Sequence, residues 1–566
     1  MIHATLGLSS YVHDSAAALL VGGELVGAIE EERLSGVKHT NAFPVNAIRW
    51  LLSEAGMAWQ DVSLVAYNYD PQLYAIPDMT QLGNHRSPIS PKRKAQRAAG
   101  FSKVREGTAL RIRDLQSRFP SARIEAWRHH LTHARYAAEM LDGDVGTILV
   151  VDSLGEVEAS TAWLARREGD QWRLTCVLVN EDPNSLGYVY ASTTQYLGYQ
   201  RNNEEGTVMA LAALGDRSRY RDLMVRAVAL TATGIEVNPQ YFLPRTLLPG
   251  ANRMGPVFLA ETGAAGDARP AGQAAADLAA ALQERTEDAL IHLARIACER
   301  TQSGHLVVSG GVALNCVAIG KLAEEPYVDS ISVPPAPGDS GTAVGAALLS
   351  SGLGTTASVR QYATGPRCSV SDLENARNVL SPHATDAGPA SPRAIAQLLA
   401  TGKLVGVCRD RAEFGPRALG NRSILANPLV ERVTEVLNSR VKHREAFRPF
   451  APAVLSFAAS DWFDLVGRWP YMSAAFRATR RASEVVPEVV HANNLSRVQT
   501  VDPDTSPFFH ATILEFSRLT SVPLLINTSL NVKGQPMSGT ASAAVSCFLN
   551  GSLDAICLED RIYARR

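Results

Sequence analysis

Cysteine is scarce and has no pattern. Seven are spread singly along the 566 residues (Cys176, Cys298, Cys316, Cys368, Cys408, Cys547 and Cys557), and no CxxC pair occurs. An odd count without such pairs excludes a disulfide framework and a zinc ribbon, and a reducing cytoplasm is the expected compartment. Long apolar runs are missing as well: no stretch reaches bilayer-spanning length, so no membrane segment is expected. Met1-Ile2-His3-Ala4 has neither the basic nor the apolar part of a secretory signal. An excess of either charge is also lacking. The 55 Lys and Arg against 56 Asp and Glu leave a net charge of -1, without the basic footprint of a nucleic-acid binder. What is present is an ordinary soluble composition in a chain too long for one core, so two or three domains are expected.

The order of elements points to a duplication. Ala4–Leu8 reads as a strand, a loop follows with His13 and Asp14, and Ala16–Val21 and Glu24–Glu30 flank the turn Gly22-Gly23 as a hairpin. The same order recurs at Thr147–Val151, a loop with Asp152, Ser160–Ala165 and Trp172–Val179. Two such units, each followed by helices, predict a duplicated α/β domain. Residues 70–125 read as an insertion, and the basic cluster His85–Arg97 within it as a solvated face. Apolar residues at helical spacing predict a helix over 274–300. Residues 352–395 are rich in Gly, Pro, Ser and Thr, and the domain boundary is placed near 355–365.

Beyond it, strands at Leu404–Cys408, Pro523–Asn527 and Ala555–Leu558 are expected to alternate with helices at Arg393–Ala400, Glu431–Val441 and Phe509–Leu519, a second α/β unit.

Within this frame His129 and His133 stand four apart, one turn along one face of a helix, where both imidazoles reach one ion. Asp152 at a strand end and Asp339 at a helix start would complete a nitrogen and oxygen shell suited to Fe, Mn or Zn. Asp339 also reads as a helix N-cap, a role that leaves ligation open. The run Ser309-Gly310-Gly311-Val312-Ala313-Leu314-Asn315 follows a strand, a place where backbone amides approach phosphate or ribose. In the second half, cationic residues crowd three blocks, Glu413–Ser423, Lys442–Phe450 and Asn527–Gly534, with Arg497 between them. Guanidinium forks grip phosphate and Lys adds a point charge, so these blocks predict a polyanion site.

The chain resembles the O-carbamoyltransferases of antibiotic and nodulation-factor biosynthesis over nearly its whole length. The resemblance is carried by His13-Asp14-Ser15-Ala16-Ala17, Glu31-Glu32-Arg33, Lys38, His129-His130-Leu131-Thr132-His133-Ala134, Gly310–Asn315, Gly338-Asp339, Gly415–Ser423, Arg448-Pro449-Phe450 and Asn527-Thr528-Ser529. Residues 1–360 resemble the Kae1-like, actin-like (ASKHA) fold, and 361–566 the YrdC-like fold, whose K-x-R and S-x-N signatures match Lys442-Arg444 and Ser529-Asn531.

The resemblance implies two sites. In the C-terminal domain, Arg417, Lys442, Arg444, Arg448, Arg497, Ser529 and Asn531 would bind ATP with Mg2+ and carbamoyl phosphate, and form carbamoyladenylate with release of pyrophosphate. The adenylate would pass within the protein to the N-terminal domain, where Lys38, Gly310, Gly311 and Asn315 hold it. There Fe(II), or another divalent metal, bound by His129, His133, Asp152 and Asp339, would serve transfer to an alcohol of a small secondary metabolite. His13 would be the base. From the charge balance and the lack of apolar runs no nucleic-acid or membrane partner is expected, and a homodimer is left open.

Two departures stand out. The family's Lys and Pro-Tyr in one segment are Thr207 and Ala213-Leu214 here, and Asn493 stands where an Asp is common before Arg497. A tRNA threonylcarbamoyl-type enzyme would share the folds but calls for a basic surface. A non-catalytic actin-like scaffold would release no pyrophosphate. A metallopeptidase would need Glu at position 130, which is His.

Overall fold

The computed structural model describes residues 4–11, 13–74, 90–248, 250–251, 253–263, 269–352 and 357–566. The expected duplication is present. One sheet holds β1 (Ala4–Ser9), β2 (Ala16–Val21), β3 (Glu24–Glu30), β4 (Leu64–Tyr67) and β5 (Arg123–Ala126), in the order β3-β2-β1-β4-β5. After it come β6 (Val145–Val151), β7 (Glu158–Glu168), β8 (Gln171–Glu181), a two-stranded ribbon of β9 (Val228–Thr231) and β10 (Gly234–Val237), then β11 (His305–Ser309) and β12 (Ser330–Ser332). The second sheet has the order β12-β11-β6-β7-β8, the first pattern read in reverse. In each sheet the first strand is central, its hairpin lies to one side and two parallel strands lie to the other.

The central strand β6 shows why. Val-Gly-Thr-Ile-Leu-Val-Val is rich in β-branched residues and is buried from its second residue to its last. β7 pairs with it antiparallel and β11 parallel, so both of its edges are satisfied inside the domain. Helices cover the sheets. Gln273–Thr301 forms the long helix that the apolar spacing predicts. Thr342–Ser351 packs on His129–Ala138 where Gly345 leaves no room for a side chain: a Cβ there would stand 1.9 Å from the carbonyl oxygen of Thr132.

The C-terminal half is built on a third sheet, of nine strands. They are β13 (Ala384–Pro389), β14 (Val405–Cys408), β15 (Arg422–Ala426), β16 (Ala451–Leu455), β17 (Ala474–Arg477), β18 (Leu495–Val501), β19 (Leu524–Ser529), β20 (Ala555–Leu558) and β21 (Arg561–Arg565). Their order is β13-β21-β20-β14-β15-β19-β16-β18-β17. By internal contact the chain divides into two compact units. One comprises Met1–Ser9, Leu19–Glu24 and Met57–Thr356; the other comprises Ser10–Ala18, Leu25–Gly56 and Ala357–Arg566.

Two expectations need correction. The helix expected over Glu431–Val441 is a single α-turn, Val433–Val436, followed by a π-helical stretch, Leu437–Lys442. The wider turn turns Lys442 inward, and local widening of this kind is common at functional sites. The basic cluster is not a solvated face throughout. Residues 75–89 lie outside the described residues. In the helix Pro91–Arg118, Lys92 and Lys94 are exposed but Arg97 is fully buried. Its guanidinium is paired with Asp182, which is what permits a charge there. Among the described residues no helix is long and apolar enough to cross a membrane.

Candidate functional site

Four side chains from three separate segments converge in the first unit. His129 and His133 lie on the helix that follows β5, Asp152 comes directly after β6, and Asp339 opens a short 3-10 turn before Thr342–Ser351. One ligand atom from each lies within 4.8 Å of the other three, and all four residues are buried. The two Nε2 atoms are 3.2 Å apart. His129 Nε2 is 3.3 Å from Asp152 Oδ2 and 3.6 Å from Asp339 Oδ1; His133 Nε2 is 3.8 and 3.9 Å from the same atoms.

The opposite edges of the rings are occupied. His129 Nδ1 donates to the Asn68 carbonyl at 3.3 Å, and His133 Nδ1 lies 3.4 Å from Ser309 Oγ. A carbonyl only accepts, so the proton of a neutral His129 sits on Nδ1 and its Nε2 lone pair faces the carboxylates. Burial opposes charge on both rings. Asp339 and Asp152 nonetheless lift the His129 pKa above the ordinary value, while burial and the neighbouring His129 hold His133 below it. Two imidazoles and two carboxylates in this space are a metal donor set. At a nitrogen–metal distance of about 2.1 Å, two nitrogens this far apart subtend roughly 100° at a shared ion, near the tetrahedral and octahedral values. The residues therefore fit a divalent cation.

The surroundings of this cluster escaped the sequence reading. Tyr69 stacks on the His129 ring, with centroids 4.3 Å apart, and its hydroxyl lies 3.4 Å from Asp339 Oδ2. The buried Glu156 carboxylate accepts the backbone N–H of His129 at 3.1 Å and that of Asp70 at 2.9 Å, anchoring the helix at its positive end. His130 points elsewhere, to Thr161 Oγ1 at 3.0 Å.

The glycine turn braces the same cluster. Gly310 has φ 90°, and a Cβ there would meet the Val151 carbonyl oxygen at 2.3 Å. The Gly310 N–H donates to Pro337 O and that of Gly311 to Asp152 Oδ1, at 2.8 and 3.2 Å. Asn315 is used differently from the expectation of a nucleotide contact. It forms a reciprocal amide pair with Gln283, 2.9 Å each way, and caps the helix Cys316–Leu322.

In the second unit, Asp14 sits between two imidazoles, 3.0 Å from His13 Nδ1 and 2.6 Å from His39 Nδ1. The His39 N–H donates to Glu32 Oε2 at 2.7 Å. Burial opposes ionisation of Asp14, but hydrogen bonds from His13 and His39 outweigh it and hold the carboxyl far below its usual range. His13, read as a base, therefore has a carboxylate partner. No sequence signal marked His39 as its second neighbour.

The same unit holds the cation blocks. The Glu413 carboxylate takes the backbone N–H groups of Leu419, Asn421 and Arg422 at 2.8 to 3.1 Å, which wraps the loop carrying the half-buried Arg417. Glu30 and Arg33 bind the N–H and carbonyl of Gly415 at 2.8 and 2.7 Å. The Lys442 ammonium is buried among Ser529 Oγ at 3.2 Å, Asn531 O at 3.0 Å and Asn531 Oδ1 at 2.7 Å. Burial pushes the Lys442 pKa down to about 7, with Arg444, Arg448 and Lys38 adding repulsion. Arg444 donates to Asn438 Oδ1 at 2.8 Å and lies 4.5 Å over the Phe450 ring; burial, Arg448 and Arg497 bring it down to about 9. Lys442, Arg444, Arg448, Arg497, Ser529 and Asn531 are thus one neighbourhood. Its crowded cations are relieved when an anion enters. Lys38 is exposed and belongs to this unit, as does His13.

Two family models match the chain, and the first of them includes His13 and Lys38. Residues 4–348 match the model described as "Carbamoyltransferase N-terminus", and residues 396–565 match "Carbamoyltransferase C-terminus". The chain is 31% identical to nodulation protein NolNO of Sinorhizobium fredii, over 99% of this chain and 80% of that protein. It is 31% identical to an uncharacterised protein of Synechocystis, over 99% of this chain and 96% of the relative. Nodulation protein NolO of Bradyrhizobium diazoefficiens is 32% identical over 77% of this chain and 79% of its own length.

Proposed function

The chain belongs to the carbamoyltransferase family, and from that membership we propose that it is an ATP-dependent O-carbamoyltransferase working in two steps. Residues 361–566 form the adenylate-making domain, YrdC-like, and residues 1–360 the Kae1-like transfer domain. In the first step water attacks the phosphorus of carbamoyl phosphate, the P–O bond to the carbamoyl oxygen breaks, and carbamate and inorganic phosphate result. The carbamate oxygen then attacks the α-phosphorus of ATP, and pyrophosphate leaves. Arg417, Lys442, Arg444, Arg448 and Arg497 bind the phosphates of ATP, with its Mg2+, and of carbamoyl phosphate, and offset the charge that gathers on the departing pyrophosphate. Ser529 and Asn531 hold the Lys442 ammonium in place.

In the second step a hydroxyl of a small natural product attacks the carbamoyl carbon and AMP leaves. His13, oriented by Asp14, takes the hydroxyl proton. Lys38, Gly310, Gly311 and Asn315 are the proposed adenylate contacts. For Asn315 this is its backbone environment, since its amide is committed to Gln283. His129, His133, Asp152 and Asp339 would hold the metal, for which Fe(II) is the proposal. When bound, it supplies Lewis acidity toward the carbamoyl and phosphate oxygens.

What carries this reading is the coexistence of two clusters of opposite character. One is a buried donor set of two imidazoles and two carboxylates; the other gathers the buried Lys442 with the half-buried Arg444, Arg448 and Arg497. The test is direct. The protein with ATP and carbamoyl phosphate should release pyrophosphate. With added sugar, aminocyclitol, macrolide or β-lactam alcohols, one of them should gain the mass of one carbamoyl group. A scaffold does neither.

A further inference from the structure

A third cluster, in the first unit, has no part in the steps above. Tyr188 lies in the first turn of the helix Leu186–Tyr196. Two guanidinium groups stand over its ring, Arg245 at 4.5 Å and Arg253 at 5.3 Å from the centroid. The buried Asp182 carboxylate pairs with Arg245 at 2.6 Å and is shared with Arg97 at 2.5 Å. One acid therefore serves two arginines. Among the described residues, the half-buried Arg253 side chain has neither a carboxylate nor a hydrogen-bond acceptor as partner. Burial draws its pKa down to about 10, and Arg201 and Arg245 are among the cations that add to the effect. A guanidinium in such a place gains most from an oxyanion brought from outside, which its planar fork takes in two parallel hydrogen bonds.

The position of this cluster suggests whose oxyanion it is. Arg245 Nη2 donates to the carbonyl oxygen of Ser153 at 2.6 Å, one residue past Asp152. The Asp152 carboxylate is turned the other way, toward the imidazoles and the Gly311 N–H. The glycine turn proposed for the adenylate thus meets Asp152 through its side chain. Arg245 meets the next residue through its backbone, and Arg253 shares the Tyr188 ring with Arg245. We propose that Arg253, with Arg245 and Tyr188, is the binding subsite for an acid group on the acceptor, so that the carbamoylated alcohol is an anionic molecule rather than a neutral sugar or a polyamine. This rests on the reading of the His129 cluster as the transfer site. The buried Tyr188 ring holds the two guanidiniums in place, and the half-buried Arg253 supplies the ion pair.

Phenylglyoxal labelling of the full-length protein, read at Arg253 by peptide mass spectrometry, tests it with a matched pair of probes. Methyl glucuronide and methyl glucoside differ only by the carboxylate. The expected result is that the glucuronide slows labelling of Arg253 about tenfold, the effect of one charge-assisted contact, while the glucoside does not. Equal protection by both probes, or none by either, overturns the proposal. Protection by AMP at lower concentration than by the glucuronide also overturns it, because the anion would then be the nucleotide's phosphate. Binding to the Arg253→Gln variant should show no preference for the glucuronide, and a retained preference counts against the assignment. Pyrophosphate release by the unmodified protein is measured alongside. Its absence with Arg253 protected would refute the two-step reading and leave the oxyanion site standing.

Discussion

His129 Nε2 and His133 Nε2 lie 3.2 Å apart, with the carboxylates of Asp152 and Asp339 no more than 3.9 Å from either. Two imidazoles and two carboxylates packed this closely in a buried place form a donor set that a cation completes. His133→Ala should therefore lose bound metal, read by elemental analysis of the purified protein. It should also lose acceptor carbamoylation while pyrophosphate release stays within about threefold of the parent, since the proposed steps draw on different residues. Loss of both reactions would contradict the division of labour.

Arg444→Ala should have the opposite phenotype. Its guanidinium is held by Asn438 and Phe450 and shares its neighbourhood with Arg448 and Arg497. Removing it should slow pyrophosphate release by about 10²-fold or more, as for other preorganised charges that face a transition state, with metal content unchanged. A pyrophosphate assay and a metal determination on the same sample decide the point.

Lys442 gives a prediction in pH. Its pKa is pushed down to about 7, so the free protein carries the ammonium below that value and loses it above. Anionic substrates prefer the charged form. The kcat/KM for carbamoyl phosphate should fall as pH rises from about 7 to 9, by up to tenfold per unit. The Lys442→Arg protein, charged throughout, should lose that descending limb even where its overall rate is lower. A profile rising over this interval would contradict the role.

Asp14→Asn removes the carboxylate that binds both His13 and His39. The carbamoylation step should drop by about 10²-fold, the usual contribution of a positioned acid–base group. If His13 is the base, the loss should be in kcat more than in the KM of the acceptor. An effect confined to KM would make Asp14 a binding residue.

Gly345→Ala tests the packing beneath the proposed metal ligands. The new methyl would meet the Thr132 carbonyl oxygen on the helix that bears His129 and His133. Chemical denaturation should show a loss of about 1–3 kcal/mol, the range for overpacked cores, and metal affinity should fall with it. Unchanged stability would mean that the two helices separate freely.

The parts legible in the sequence are those with a short repeat. The i,i+4 histidines, the strand–loop–hairpin pattern that occurs twice and the glycine pair after β11 all declare themselves within a few residues. What stayed hidden depends on long-range approach. Asp14 and His39 meet from two separate loops, one before β2 and one after Glu32–Ser35, each with positive φ at the residue concerned, 50° and 52°. Asn315 has the look of a ligand contact until Gln283, on a different helix, is seen to take both ends of its amide. The π-helical stretch before Lys442 has the composition of a helix, and its extra residue per turn has no sequence signature. Arg97 looked solvated because nothing in its own segment reveals Asp182.

The wide spacing of residues 129, 133, 152 and 339 along the chain also bears on biosynthesis. A ribosome delivers the two histidines and the first aspartate well before the last, by roughly ten to forty seconds at ordinary elongation rates. If these four residues hold an ion as proposed, the nascent chain carries three of the four donors through that interval and gains the fourth only with the helix that follows Asp339. The order in which the donors appear would then bear on which ion is captured.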